Sequence, residues 1–216
     1  MSTAREEILA ALRDKERGGA TPPAPWRSRQ QFGDLAARFT ATLTGLHGEV
    51  IRAASAEEAL DRLGDVLRDL GAARVVANDE PPLAGVDLAA RWPGIAWHVV
   101  GRTEGDLRAF CAGADAGITG ADAALAETGS VIVSSGPGRS RMASLLPPVH
   151  IALIAAGCLT SDILTWAAAR SGDLPASVTA ISGPSKTADI EQTLAIGMHG
   201  PKRVIAILYG EPGETT

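Results

Sequence analysis

Cysteine is scarce in this chain: two in 216 residues, Cys111 and Cys158, each beside small apolar neighbours. Buried reduced thiols are the usual fate of such residues, and a cytosolic location is the expectation that follows. Neither cysteine belongs to a C-x-x-C pair, and His47, His98, His150 and His199 are scattered, so no metal or cluster site is legible. A long hydrophobic run is missing too. The nearly apolar stretch from Ile151 to Leu159 is far below the roughly 18 residues of a spanning helix, and the sequence opens on the charged Arg5-Glu6-Glu7, so neither membrane insertion nor a signal peptide is expected. Basic charge is not in excess: 20 Lys and Arg against 25 Asp and Glu give a net charge of -5, which argues against nucleic acid as a partner.

Apolar residues make up 45% of the chain, enough for a sizeable core. Residues 1–28 read as a short amphipathic helix, with Ile8, Leu9 and Leu12 on one side, followed by Gly18-Gly19 and the proline-rich stretch from Thr21 to Pro25. So short a helix cannot bury its stripe alone, and docking on the chain's own body is expected. Helical spacing follows over Arg29–Leu43. Ser55-Ala-Glu-Glu58 is a capping box that opens a helix closed by Gly71.

Short apolar runs at 49–53, 74–77, 96–100, 116–119, 131–134, 149–155, 178–181 and 203–209 read as strands. Helices are expected near 103–112, 161–169 and 188–196. Strands without alternation, separated by helices, predict an α/β domain of three layers around a mostly parallel sheet. Ligands of such sheets bind beyond the carboxyl ends of the strands, which directs attention to the loops after Ile118, Val133, Ile154 and Ile181.

Three loop motifs carry candidate chemistry. Gly117-Ile-Thr-Gly-Ala-Asp-Ala-Ala-Leu-Ala-Glu-Thr-Gly-Ser130 offers Glu127 as general base, nucleophile or binding group, with Gly129 leaving room for a substrate. The same carboxylate would equally serve to hold backbone N–H groups of the turn. Ser134-Ser-Gly-Pro-Gly-Arg-Ser-Arg141 resembles half a dinucleotide fingerprint, but Arg141 replaces the third glycine and Pro147 cuts the helix short, so an NAD site is not expected. Arg139 and Arg141 suit a carboxylate or phosphate, or else solvent and neighbouring acids. His150 heads an apolar strand, where a structural hydrogen bond is the common role.

The third motif, Ser182-Gly-Pro-Ser-Lys-Thr-Ala-Asp-Ile-Glu191, follows a strand and is expected to open a helix whose free N–H groups, with Lys186, attract an anion. Capping by Ser185 or Thr187 is the competing reading, and the spacing is not that of a Walker A loop. The candidate catalytic group is therefore Glu127. The candidate ligand-binding residues are Thr119, Thr128 and Gly129 on the first motif, Arg141 on the second, and Ser182, Gly183, Ser185, Lys186, Thr187 and His199 on or beside the third.

Ala121 to Ser130, Ser144-Leu-Leu-Pro-Pro-Val-His150, Ile181 to Glu191 and Gly197-Met-His-Gly-Pro201 together resemble the LUD domain family, in its lactate-utilisation branch, over roughly Ala114–Tyr209. The resemblance implies a domain over 29–216 with a fold like that of the ribose-phosphate isomerase, glucosamine-phosphate deaminase and CoA-transferase group. It implies membership of a system that oxidises L-lactate to pyruvate, with iron–sulfur oxidoreductase subunits as partners. With two cysteines, this chain would be a non-redox subunit without a cofactor of its own, binding a small carboxylate or phosphate anion or those partners. The alternative is a stand-alone enzyme of the CoA-transferase or sugar-phosphate-isomerase type using Glu127, since Glu127-Thr-Gly129 resembles the CoA-transferase Glu-x-Gly pattern; the glycine-rich CoA loop has no match here.

Overall fold

The computed structural model describes residues 3–14, 28–170, 172, 174–188 and 194–210. Its centre is a sheet of six parallel strands. In chain order these are β1 (Glu49–Ala53), β2 (Arg74–Ala77), β3 (Ala96–Val99), β4 (Ala116–Thr119), then β7 (Val149–Ala155) and β12 (Arg203–Tyr209), and across the sheet they run β1-β12-β7-β4-β2-β3. Between β4 and β7 the chain makes β5 (Ala123–Leu125) and β6 (Ser130–Ser134). These join β8 (Leu159–Thr160) and β9 (Val178–Ile181) in a second, mostly antiparallel sheet of order β8-β5-β6-β9.

Both faces of the main sheet are covered, as continuous apolar strands demand. Val149, Ile151 and Leu153 of β7 look toward α3 (Ala56–Asp69), whose Leu60, Leu63 and Leu67 are buried at about 2 kcal/mol each. Ala152 and Ile154 look the other way, onto Phe39 and Leu43 of α2 (Leu35–Gly45) and onto Val131, Val133 and Ile181 of the small sheet. The three-layer α/β reading therefore stands, with one correction: strands at 131–134 and 178–181 belong to an outer layer that is itself partly a sheet.

Helix boundaries follow caps. Ser55 Oγ accepts from Glu58 N–H, and the Glu58 carboxylate reaches back to Ala54 N–H at 2.8 Å. Asp34 caps α2, so it begins at Leu35 and not at Arg29. Asp106 likewise delays the helix expected from 103, giving α5 (Leu107–Ala112). The short α4 (Leu88–Arg91) and α6 (Arg141–Leu145) open on Asp87 and Ser140, and Asp162 caps α7 (Ile163–Ala169).

Two further expectations are corrected. In place of a helix near 188–196, β10 (Lys186–Ala188) and β11 (Leu194–Ile196) pair antiparallel, Thr187 opposite Ala195; residues 189–193 of that stretch lie outside the described residues. Ser185 N–H donates to Pro201 O, and Gly197 N–H to Ser185 O, which ties this segment into extended pairing and leaves no helix start behind Ser182. At the N-terminus α1 (Ala4–Asp14) forms, yet Ile8 and Leu12 are 61% and 63% exposed, so the stripe is not docked on the body. The linker expected between them falls outside the described residues.

Candidate functional site

The chain runs outward from β2 to β3 but inward from β4 to β7 and on to β12, so the sheet's topological switch point lies between β2 and β4. Crevices at such points, beyond the carboxyl ends of the strands, are where open α/β sheets hold ligands. A cavity of about 230 Å³ sits there. Glu80 enters it from the loop after β2 and Asp122 from the loop after β4. Cys158 comes from the 3-10 turn after β7 and Tyr209 from the last position of β12, and Arg139 completes the charged lining.

Arg139 binds both acids. Its Nε lies 3.0 Å from Glu80 Oε1 and its Nη1 donates to Asp122 Oδ1 at 2.8 Å. Glu80 also accepts from Gly120 N–H at 3.0 Å, and Asp122 from the Ser134 hydroxyl. Asn78 and Asp79 fix the arginine's loop: Ser140 N–H donates to Asn78 Oδ1, and Asp79 N–H to Gly138 O. Asp79 is itself paired with Arg102, whose Nε donates at 2.6 Å. A wider hollow of about 570 Å³, lined by Ser134, Ser135, Pro137, Arg170 and Leu174, shares Asp122 and Arg139 as its wall. Burial pushes the Cys158 thiol up, with the Asp122 charge adding to it, and burial then Cys158 push up the Tyr209 phenol. Both groups are neutral at physiological pH.

Of the residues weighed in the motifs, Arg139 lines both cavities, whereas Glu127 and the candidate ligand-binding residues line neither. The Glu127 carboxylate accepts from Gln30 Nε2 at 2.6 Å, and its N–H donates to Ser161 O. Gly129, at φ +63°, is the one residue that fits its position: a Cβ there would lie 2.6 Å from Leu43 N, so the chain's own α2 occupies the room expected for a substrate. Gly183 abuts the carbonyl of Leu46 in the same way, and Lys186 Nζ donates to that carbonyl at 2.8 Å. The first and third motifs do meet. Thr128, Ser130 and Ser182 form a chain of hydroxyls, 2.7 and 2.6 Å apart. What they build is a joint on the C-terminal end of α2.

Thr119 is buried, with its hydroxyl 2.9 Å from His150 Nε2. His150 is fully buried, its Nδ1 has no hydrogen-bond partner among the described residues, and burial lowers its pKa to about 4. Arg141 and His199 are exposed, Ser185 is held through its backbone, and Thr187 lies in the β10–β11 hairpin. Among the described residues no group of three His, Cys, Asp or Glu is placed to hold a metal ion. The cleft residues that motif reading passed over are Glu80, Asp122, Cys158 and Tyr209. The strand-end rule reaches all four once the loop after Ala77 and the end of the last strand are included.

A family model described as the LUD domain matches residues 36–209. The chain belongs to the LUD domain family. Among curated LUD relatives, a protein named lactate utilization protein C from Halalkalibacterium halodurans is 37% identical over 159 residues, 70% of this chain and 68% of its own length. One of the same name from Exiguobacterium is 36% identical over 187 residues, 81% of this chain and 77% of its own. A third, from Geobacillus, is 30% identical over 205 residues, covering 85% and 84%. A crystal structure of a DUF162 family protein from Deinococcus radiodurans aligns with a TM-score of 0.54 over 82% of this chain and 96% of that one, at 22% identity, which speaks to the LUD fold alone. Among the described residues no helix is long and apolar enough to cross a membrane.

Proposed function

We propose that this chain is a non-redox component of an L-lactate utilisation system and works by contact with iron–sulfur oxidoreductase partners. The observation that carries the proposal is the match to proteins named lactate utilization protein C over most of both lengths, 81% of this chain and 77% of the Exiguobacterium protein in one case. The cysteine count supports the non-redox part. A cluster takes about four thiolates, and the chain has two, one buried and the other facing the cleft. The geometry lends less to a role for Ser182–Thr187 in holding lactate, pyruvate or phosphate, because Lys186 is committed to a backbone carbonyl and the loop opens no helix.

Deletion of the gene should abolish growth on L-lactate while leaving growth on pyruvate intact, and the full chain should co-purify with the iron–sulfur oxidoreductase from cells grown on lactate. Undiminished growth on lactate in the deletion strain would end the proposal. Thermal shift with lactate, pyruvate and phosphate tests the anion separately; stabilisation by one of them that Lys186→Met removes would restore the loop as a binding site.

A further inference from the structure

We propose that the cavity at the switch point binds a small molecule carrying a protonated amine, a ligand distinct from lactate. Two independent observations carry it. The first is Tyr209, the one tyrosine of the chain, which is 8% exposed and lines the cavity. Its hydroxyl makes no hydrogen bond to any described residue. The hydroxyl is not among the fully buried polar atoms of the described residues, so it opens on the cavity, where an occupant can partner it.

The second is the charge and bonding capacity of the wall. Glu80 and Asp122, with side chains 12% and 18% exposed, face a single guanidinium, so the lining carries one excess negative charge. Their four carboxylate oxygens each have one donor: Arg139 and Gly120 N–H on Glu80, Arg139 and the Ser134 hydroxyl on Asp122. A carboxylate oxygen accepts about two hydrogen bonds, so unused acceptors remain. The protonated thiol of Cys158 contributes no charge.

A carboxylate ligand such as lactate would bring a third anion against two poorly solvated ones. An ammonium brings three donors and the missing positive charge, in charge-assisted hydrogen bonds. With no triad of metal ligands among the described residues, the cation that fits is an organic one. About 230 Å³ is roughly the volume of seven or eight liquid waters, which admits a compact molecule and no more.

The inference goes beyond the lactate reading and is tested without it, by isothermal titration of the full chain with ethanolamine hydrochloride, sodium L-lactate and glycerol at matched ionic strength. Ethanolamine is expected to bind saturably and more tightly than either of the others. Asp122→Asn should weaken it by about tenfold, the loss of one charge-assisted bond. Tyr209→Phe, which deletes the hydroxyl alone, should weaken it by about threefold and keeps the test open if Asp122→Asn does not fold. Lactate or glycerol binding as tightly as ethanolamine, no saturation up to about 10 mM, or ethanolamine binding untouched by Tyr209→Phe would each overturn it.

Discussion

Two regions of this molecule use the same materials to opposite ends. At the C-terminal end of α2, glycines, hydroxyls and a lysine from distant loops meet, and the gaps beside Gly129 and Gly183 are filled by the chain's own backbone. At the switch point of the sheet, acids, an arginine, a thiol and a phenol meet around a space that stays open. Glycine beside a carboxylate therefore does not identify a ligand site. What separates the two regions is whether the room next to the glycine belongs to solvent or to a neighbouring helix.

Glycine substitution should break the comparison most visibly. Gly129→Ala puts a methyl group on a left-handed residue and within 2.6 Å of the α2 backbone, and should cost about 3 kcal/mol in urea unfolding. Gly136, on the rim of the wider hollow, has nothing within 4 Å of the position a methyl group would take, and Gly136→Ala should stay within about 0.5 kcal/mol. Equal costs at the two positions would mean that the α2 joint is looser than its contacts indicate.

The buried Thr119–His150 pair belongs with the filled regions and answers to acid. Its folded pKa, about 4, lies below the unfolded value of 6.5. Between those values the unfolded chain binds more protons, so stability rises with pH through the window and the contribution is complete above 6.5. Acidification from pH 6.5 to 4 should therefore remove up to about 3 kcal/mol through this group. Urea midpoints of wild type and His150→Leu across that range measure it, and the variant should show the shallower slope.

In the open region Arg139→Met leaves Glu80 and Asp122 facing each other without their shared partner. The expected loss is about 2 kcal/mol in urea unfolding at pH 7. A loss under about 0.5 kcal/mol would show that the two acids do not depend on the arginine.

Much of this architecture is legible in the sequence because burial writes itself into local pattern. The run from Val149 to Ala155 is apolar on both sides because both sides are covered, and Ser55 with Glu58 marks a helix start wherever the helix goes next. The 188–196 segment misleads for the converse reason. Its spacing suits a helix, but pairing of Lys186–Ala188 with Leu194–Ile196 is a tertiary choice that no single segment encodes. Within the cleft, Asp122 and Arg139 sit inside motifs that the sequence displays, whereas Glu80 and Tyr209 lie far apart in the chain with no motif around either. Only the strand order, which puts β2 and β12 on either side of β4 and β7, makes them neighbours.

The smallest effect is the sharpest on the division itself. Lys186 Nζ reaches the Leu46 carbonyl at the protein surface, so Lys186→Met should lower stability by less than about 1 kcal/mol. It should leave ethanolamine affinity within about twofold of wild type, because neither cavity includes that residue. A substitution that costs little stability yet abolishes ligand binding would show that the α2 joint and the switch-point cleft work as one site. The glycine and hydroxyl loops would then have to move off α2 for the ligand to enter, and the packing of Gly129 and Gly183 would describe the closed state of a single larger pocket.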